Sequence, residues 1–351
     1  MVSYVTTRGS RTRIPRLIYG TAWKTDRTAD LVYQALQAGF RAIDTAAQPR
    51  HYREDLVAEG VRRALADGVV ASRSDLYLQT KFTPPGGQDL EGPNAPPYDP
   101  SAPVAEQIRS SIESSLRNFT FKSKDAGKDE SVSYLDCLVL HSALPRREDT
   151  VAAWQVLKTY VPHRIRTLGI SNVYLEDLEE VFDVAQEVEK AEPAVGAASL
   201  CPVVVQNRFH RHRHHPDPYD VALRRFCAHP DRRVVYQSFW TLTANPDHLK
   251  SASIQAVAQG AQVGREVALY GMVALGLGGL DDNNSGGSAS PETYAGKSGP
   301  VVVLDGTTTA AHMADDIAGI EKVKLWAESS VEARATWDAA VLEFRQRIRD
   351  I

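Results

Sequence analysis

Short apolar segments recur along the chain, and several of them end in a polar residue. These ends are Asp44, Lys81, His141, Ser171, Asn172 and Gln206, and Tyr52 lies in the loop that follows Asp44. The carboxyl ends of parallel strands meet at one edge of a sheet, so strand segments would gather these side chains in one place. The spacing therefore predicts one polar site built from several separate segments.

Four of these residues suit proton transfer to a carbonyl oxygen. A tyrosine is a poor acid at neutral pH because its ordinary pKa is near 10, but a nearby ammonium favours its ionised form. Lys81 could supply that charge to Tyr52, and Asp44 could hold the lysine through a charge-assisted hydrogen bond. His141 could donate to the carbonyl oxygen and polarise it.

Each residue taken alone has an ordinary structural explanation. Asp44 and Lys81 could be a structural ion pair, and Tyr52 a half-buried surface aromatic. His141 and Gln206 could be hydrogen-bonded core residues, while Ser171 and Asn172 could cap a helix. Their joint occurrence at successive segment ends favours the functional interpretation.

The elements that must position these residues alternate regularly between strand and helix. The strand segments are Arg16–Thr21, Ala42–Thr45, Leu76–Lys81, Tyr134–His141, Thr167–Asn172, Val203–Gln206, Arg233–Ser238 and Val301–Leu304. The helical segments that follow them are Thr28–Ala38, Glu54–Ala66, Val104–Phe119, Asp149–Tyr160, Leu175–Glu189, Tyr219–His229, Ser251–Gly264 onward and Ala310–Ala327. Eight such units predict an α/β protein with a (β/α)8 TIM barrel. A doubly wound sheet is the competing fold, but the glycine fingerprint expected after its first strand is not in the sequence.

Two long loops and a terminal helix complete this organisation. The proline-rich segment Pro84–Pro103 and the Gly/Ser-rich segment Asp281–Gly299 are predicted at the C-terminal rim of the barrel. The pattern from about residue 330 to about 349 predicts a packed C-terminal helix. We expect a single domain over residues 1–351, with the barrel at about 14–327.

Composition narrows the class of partner and the compartment. The formal net charge is -4, with 40 basic and 44 acidic side chains, so we expect no nucleic-acid partner. No apolar run reaches the roughly 20 residues of a bilayer span, so we expect no membrane partner. Three cysteines, Cys137, Cys201 and Cys227, are far apart and form no metal pair, so we expect a cytoplasmic protein. Composition leaves the oligomeric state open.

Five motifs resemble those of the aldo-keto reductase family. DTAAQPRHYRED resembles its DTA…Y.NE signature, LQTKF its third-strand TK, YLDCLVLHSALP its fourth-strand DLYLIH, RIRTLGISNV its fifth-strand GvSN and VVVQNRFH its sixth-strand NQ segment. The motifs follow in order from about Ile14 to Ile320. The resemblance implies an NAD(P)(H)-dependent (β/α)8 barrel that reduces an aldehyde or ketone.

The resemblance also implies a role for each site residue. Tyr52 is the general acid/base, and Asp44, Lys81 and His141 complete the catalytic tetrad. Cofactor contacts are implied at Gly20, Thr21, Trp23, Ser171, Asn172, Gln206, Gln237, Ser238, Gly306, Thr307, His312 and Asp316. NADP(H) is the first choice of cofactor by resemblance, ahead of NAD(H), and no metal is implied.

Several positions depart from the family pattern. The loop from Asp44 to Tyr52 is longer than usual, which leaves His51 as a rival for the acid position. Gln237 stands where a Tyr usually stacks on the nicotinamide. Asp305 and His312 replace a Lys and an Arg that commonly hold the 2′-phosphate of NADPH, so we expect weak discrimination between the two cofactors.

Aromatic and histidine residues supply the last candidates. The aromatic side chains near strand ends could form an apolar pocket for a small carbonyl substrate, or they could be ordinary rim packing; they are Trp23, Phe82, Tyr98 and Trp240. The segment RFHRHRHHPDPYD has four histidines, but it crowds them on one loop, which does not predict a metal site. A non-catalytic cofactor-binding barrel and a glycoside hydrolase are alternative functions. The hydrolase would need two nearby strand-end carboxylates, and the only candidates, Asp44 and Asp305, lie on distant strands.

Overall fold

The structure, a computed structural model, describes residues 3–7, 12–122, 131–191, 199–211, 216–280 and 299–351. Its strands are β1 Tyr4–Thr6, β2 Arg13–Pro15, β3 Leu17–Gly20, β4 Ala42–Asp44, β5 Tyr77–Phe82, β6 Thr120–Lys122, β7 Ser131–Ser133, β8 Leu135–Leu140, β9 Ile165–Ser171, β10 Val204–Arg208, β11 Val235–Phe239 and β12 Val301–Asp305. Its α-helices are α1 Thr28–Ala38, α2 Glu54–Ala66, α3 Val104–Asn118, α4 Arg147–Lys158, α5 Leu175–Ala191, α6 Val221–Ala228, α7 Ala252–Ala261, α8 Arg265–Gly271, α9 Ala310–Ala327 and α10 Val331–Arg347.

Eight strands form a closed barrel in the order β10-β11-β12-β3-β4-β5-β8-β9. The pairs β3–β4, β4–β5, β5–β8, β8–β9 and β11–β12 are parallel, and Asp44 lies opposite both Gly20 and Gln79. All six residues of β5 and of β8 are buried, as expected for parallel strands covered by helices. The predicted (β/α)8 barrel is confirmed.

The chain forms two compact units, which we describe separately. One is built from residues 18–205, and the other from residues 3–7, 13–17 and 206–351. The first contains β4, β5, β8 and β9 with α1 to α5, and the second contains β11 and β12 with α6 to α10. The assignment of the whole chain to one domain stays a prediction.

Helix caps explain where α1 ends and where α10 begins. In the first unit, α1 ends at Gly39, whose φ of 110° lies in the left-handed region that glycine tolerates. In the second unit, the Ser330 side chain accepts from the Ala333 N–H and caps α10. The C-terminal helix predicted from about residue 330 is therefore present as Val331–Arg347.

Some elements differ from the sequence expectation. The hairpins β1–β2 and β6–β7 were not predicted, because strands of three residues are too short to show a period. The long helical segment after Ser251 is divided into α7, α8 and a π-helical turn at Met272–Leu277. No helix within the described ranges is long and apolar enough to cross a membrane.

Of the two predicted rim loops, the structure describes the first in full and only the last residue of the second. Pro84–Pro103 contains no strand and only one short helical turn, at Pro85–Gly87, as its proline content indicates. The segment Asp281–Gly299 lies outside the described residues except for Gly299.

Candidate active site

Lys81 and Asp44 form a buried ion pair at the ends of two adjacent strands, β5 and β4. Lys81 Nζ donates to both Asp44 carboxylate oxygens at 2.7 Å and to the Thr45 carbonyl at 2.8 Å. Lys81 is 0% exposed and Asp44 is 2% exposed. A buried ammonium needs this many acceptors, because removing a charge from water is costly unless it is paired.

A chain of hydrogen bonds supports this pair from behind. The Tyr77 hydroxyl donates to Gln79 Oε1 at 2.9 Å, and Gln79 Nε2 donates to Asp44 Oδ1 at 2.6 Å. Tyr77, Gln79 and Lys81 are alternate residues of β5, so their side chains share one face of the strand. Burial lowers the pKa of Lys81, and the charge of Asp44 acts in the opposite direction.

Tyr52 lies beside this ion pair. Its ring centroid is 5.2 Å from Lys81 Nζ and 6.0 Å from the His141 ring centroid. Burial, with a smaller contribution from the Asp44 charge, raises the pKa of the Tyr52 phenol well above its ordinary value. The sequence argument expected Lys81 to lower this pKa; in the structure desolvation dominates, and the phenol keeps its proton at neutral pH.

His141 follows β8 and faces the same group. Its backbone N–H donates to the Phe82 carbonyl at 2.9 Å, and its Nδ1 is 2.6 Å from the Thr83 hydroxyl oxygen. Burial, followed by the positive charge of Lys81, lowers the pKa of His141 to about 3. The imidazole is therefore neutral at physiological pH and offers one N–H.

His51, the rival to Tyr52, has different contacts. Its ring centroid is 3.7 Å from the Trp23 ring, and its Nδ1 is 2.9 Å from Gln48 Oε1. The Trp23 N–H donates to the His51 carbonyl at 2.8 Å. His51 therefore holds Trp23, whereas Tyr52 is the residue that contacts both Lys81 and His141.

Residues predicted to hold the nicotinamide extend this part of the site. The amide and hydroxyl of Thr21, just after β3, both donate to the Asp44 carbonyl, at 3.0 and 2.9 Å. Asn172, just after β9, donates through Nδ2 to the His141 carbonyl at 2.9 Å and to Ser171 Oγ at 3.1 Å. Its φ of 54° lies in the left-handed region, which asparagine tolerates better than most residues. These bonds bring together the ends of β3, β4, β8 and β9.

The second unit holds the remaining predicted cofactor residues. Gln206 Nε2 donates to Gln237 Oε1 at 2.9 Å, so the two predicted amides are neighbours. Ser238 shares a hydrogen bond with the Thr241 hydroxyl. The Tyr236 hydroxyl donates instead to Asp220 at 2.8 Å, which places this tyrosine on the opposite side of β11 from Gln237.

The turn after β12 is acidic where the family pattern is basic. Asp305 is 1% exposed, and its Oδ1 accepts the Thr307 N–H at 2.9 Å, which closes the turn at Gly306. Burial, followed by the charge of Asp305, raises the pKa of Asp316 in α9 to about 8. His312 is exposed on the same helix. The turn and the helix after it therefore have an aspartate and a histidine in place of a Lys and an Arg.

The four predicted substrate-pocket aromatics fall into two groups. Phe82 and Tyr98 are buried and packed on each other, with ring centroids 5.5 Å apart, which indicates structural packing of the rim loop. Trp23 is 67% exposed, and Trp240 is 52% exposed with its ring 4.5 Å from the Arg208 guanidinium. The two tryptophans thus have surface free for a ligand.

Sequence reasoning missed Gln79 and Thr83. Both continue the alternation that contains Lys81, so a period of two along β5 was the available signal. In the histidine-rich segment, residues 212–215 lie outside the described part of the chain. Within the described part, no three His, Cys, Asp or Glu side chains converge on a point suited to a metal ion.

Comparison with known proteins places this geometry in a family. The model of the Aldo/keto reductase family matches residues 16–227, which is more than half of the chain. The chain therefore belongs to the aldo/keto reductase family, as its motifs predicted.

The relatives are reductases of different substrates. Over 180 residues the chain is 28% identical to "Methylglyoxal reductase DkgA" of Yersinia pestis, covering 51% of this chain and 50% of that protein. Over 81 residues it is 38% identical to "NAD(P)H-dependent D-xylose reductase" of Pachysolen tannophilus, covering 23% and 24%. The chain thus spans half or less of the length of these two relatives. An aldo/keto reductase structure from Brucella melitensis has the same fold, with a TM-score of 0.59, 18% identity, and coverage of 93% of this chain and 100% of that one.

Proposed function

We propose that this chain reduces an aldehyde or ketone to an alcohol with NADPH or NADH, and that Tyr52 is the general acid. The observation that supports this most directly is the grouping of Tyr52 and His141 around the Lys81–Asp44 pair. Family membership and the names of the relatives agree with carbonyl reduction. The substrate is a small carbonyl compound, and the site residues do not select one.

The nicotinamide site is supported by the way Asn172 makes its hydrogen bonds. Its Nδ2 is used within the protein, while its Oδ1 has no hydrogen-bond partner among the described residues and the side chain is exposed. A carboxamide –NH2 group requires such an acceptor. Ser171 and Asn172 would hold the carboxamide, and the bound cofactor would supply the hydride.

The protein's own residues then handle the proton. As the carbonyl carbon receives the hydride, its oxygen gains negative charge and accepts a hydrogen bond from His141. The Tyr52 O–H bond breaks, the proton passes to this oxygen, and the phenolate left behind faces the Lys81 ammonium. Asp44 keeps that ammonium in place. The Tyr52 phenol carries this proton at neutral pH before each turnover.

Cofactor choice follows from the turn after β12. We propose NADP(H) first, by family resemblance, with weak discrimination against NAD(H). The buried Asp305 carboxylate opposes a 2′-phosphate, whereas the pKa of Asp316, raised to about 8, leaves that carboxyl group largely protonated at neutral pH, and the exposed His312 provides a donor.

Tyr52→Phe tests the proposal. Consumption of reduced nicotinamide with a panel of aldehydes should fall by a factor of about 100 or more, because the phenol acts in the transition state. Cofactor affinity, measured by fluorescence titration, should stay near that of the wild type. Tyr160→Phe, which removes a hydroxyl bonded to Glu113 at 3.0 Å, is the matched control. Cofactor binding without turnover in the wild type would favour a non-catalytic binding subunit instead.

A further inference from the structure

Thr83 is the residue through which the long rim loop contacts the candidate active site. It follows β5 directly and is 2% exposed. Its hydroxyl oxygen is 2.6 Å from His141 Nδ1, while the backbone N–H of His141 donates to Phe82, the residue before Thr83. The two strand ends are thus joined by both a backbone and a side-chain hydrogen bond.

The rim loop fixes the Thr83 side chain in one orientation. The Thr83 carbonyl accepts from the Tyr98 hydroxyl at 2.6 Å and from Gln88 Nε2 at 3.2 Å. A Cβ added to Gly87 would lie 2.8 Å from the Thr83 methyl, so glycine lets the loop pack against that methyl group. With the methyl against Gly87, the hydroxyl is directed towards His141.

The available donors and acceptors determine whether Thr83 or His141 donates in this hydrogen bond. A neutral imidazole has one N–H and one acceptor nitrogen. The Thr83 hydroxyl has no other hydrogen-bond partner among the described residues. If it accepted from Nδ1, its own buried hydrogen would be left without an acceptor, which is unfavourable. If it donates to Nδ1, both groups are satisfied and the imidazole proton is on Nε2.

We propose that Thr83 is a positioning residue for carbonyl reduction, whose hydroxyl donates to His141 Nδ1 and holds the imidazole in the tautomer with its proton on Nε2. This inference rests on the proposed function, because only a carbonyl substrate needs that Nε2–H donor. The rim loop acts on the chemistry through Gly87, Gln88 and Tyr98, which hold Thr83.

The test compares Thr83→Val, which keeps the shape and removes the hydroxyl, with Thr83→Ser, which keeps the hydroxyl. Nitrogen-15 NMR of histidine-labelled protein reports the tautomer, and the His141 signals are assigned by their loss in His141→Asn. We expect a mixed or reversed tautomer in Thr83→Val and the Nε2–H form in the wild type and in Thr83→Ser. With an aldehyde substrate, kcat should fall about tenfold or more in Thr83→Val with little change in KM. Thr336→Val, at an exposed position of α10, is the control for a lost threonine hydroxyl.

The two readouts separate the two proposals. An Nε2–H tautomer that persists in Thr83→Val overturns the positioning role whatever the activity is. A tautomer change in Thr83→Val together with an inactive wild type retains the geometry and rejects the proposed function. Gly87→Ala, which displaces the Thr83 methyl, should give the tautomer change of Thr83→Val without touching the hydroxyl, and an unchanged spectrum would reject the loop's part.

A second inference comes from a cavity in the other compact unit. Its volume is about 1020 Å³, and its lining includes Arg211, Tyr219, His248, Arg347 and Arg349. None of the lining residues belongs to the candidate active site. The three arginine side chains form no ion pair with any described residue, and the carboxylate in the lining, Asp247, is 3.9 Å from Lys250. The cavity wall is therefore net positive.

A buried imidazole lies at this wall. His248 is 6% exposed, its Nε2 is 3.1 Å from the Tyr219 hydroxyl, and its Nδ1 has no hydrogen-bond partner among the described residues. Tyr219 has a φ of 57°, a left-handed conformation that is costly for a bulky residue. Backbone strain and an unsatisfied buried polar atom together are features of a ligand site.

We infer that this cavity binds the phosphate group of a small phosphorylated molecule. Three guanidiniums provide the donors that phosphate oxygens prefer. The negative end of the α10 dipole opposes the anion, but it is equivalent to only about half of one negative charge, whereas the three guanidiniums each carry a full positive charge.

Thermal unfolding with inorganic phosphate and with phenyl phosphate tests this site. Both should raise the Tm of the wild type at constant ionic strength, and phenyl phosphate should raise it more if the natural ligand carries an organic group. Arg347→Gln/Arg349→Gln should abolish the shift, whereas Arg334→Gln, an exposed arginine of the same helix paired with Asp338 at 3.1 Å, should keep it. An equal shift in both variants, or none in the wild type, would overturn the inference.

Discussion

Replacement of His141 by asparagine should change how the stability of the protein depends on pH. The pKa of His141 is lowered from 6.5 to about 3, so in acid the unfolded chain binds a proton at this residue that the folded chain does not. The folded protein is therefore at full stability above the pKa of the unfolded histidine. Its free energy of unfolding decreases as pH falls from about 6.5 towards about 3, because protonation of His141 then favours the unfolded chain. At about pH 5 this loss amounts to about 2 kcal/mol relative to about pH 8.

The assay is urea unfolding of the wild type and of His141→Asn between about pH 5 and about pH 8, at constant ionic strength. The difference in free energy of unfolding between the two proteins at each pH gives the contribution of His141, because the other titrating groups contribute to both curves. We expect the wild type to lose about 2 kcal/mol more than the variant over this range. His163→Asn, at an exposed histidine, is the matched control for the substitution. Parallel curves for the wild type and His141→Asn would show that the folded imidazole titrates normally and would refute the lowered pKa of His141.

Three further predictions concern packing, charge and cofactor choice. Lys81→Met leaves the Asp44 carboxylate buried without its cation and should lower the free energy of unfolding in urea by about 3–5 kcal/mol. Adding Asp44→Asn should restore part of the lost stability, and a double variant less stable than Lys81→Met would contradict this prediction. Gly60→Ala places a Cβ 2.6 Å from the Ala29 carbonyl oxygen and should lower the free energy of unfolding by about 1–3 kcal/mol. Gly68→Ala has open space around the Cβ but a φ of +73°, and it should lower the free energy of unfolding by about 1 kcal/mol. Equal losses of stability would be inconsistent with a tight contact between α1 and α2. His312→Arg should raise the ratio of kcat/KM for NADPH over NADH about tenfold, or about 1.4 kcal/mol; an unchanged ratio would place the 2′-phosphate away from α9.

Sequence reasoning was most informative where the periodicity was long. The run YLDCLVL predicted the buried strand β8, and the helical spacing after Ala310 predicted α9 with the bounds the structure shows. Such segments are predictable because burial of an entire strand or a helix face leaves a pattern in the residue types. The three-residue hairpin strands leave none, and the break between α7 and α8 depends on local packing.

The candidate site was predictable in its membership but not in its electrostatics. Motif spacing predicted that Tyr52, Lys81 and His141 share one site. In the structure the Tyr52 ring centroid is 5.2 Å from Lys81 Nζ and 6.0 Å from the His141 ring centroid. The pKa of Tyr52 could not be predicted, because burial and the Asp44 charge, which both raise it, depend on distances and desolvation that the sequence does not contain. Thr83 was missed for a similar reason, since its role depends on the rotamer that Gly87 imposes.

The hydrogen bonds from Gln88 and Tyr98 to Thr83 have a consequence for engineering the proposed activity. Loops at the rim of a barrel are usually treated as independent parts that can be exchanged to alter substrate range. Here the loop also holds Thr83, so on the role proposed for that residue a graft that omits Gln88 or Tyr98 should slow turnover for every substrate alike. A library that varies Leu90–Pro97 and keeps both anchors would change selectivity while leaving the proton-transfer geometry in place.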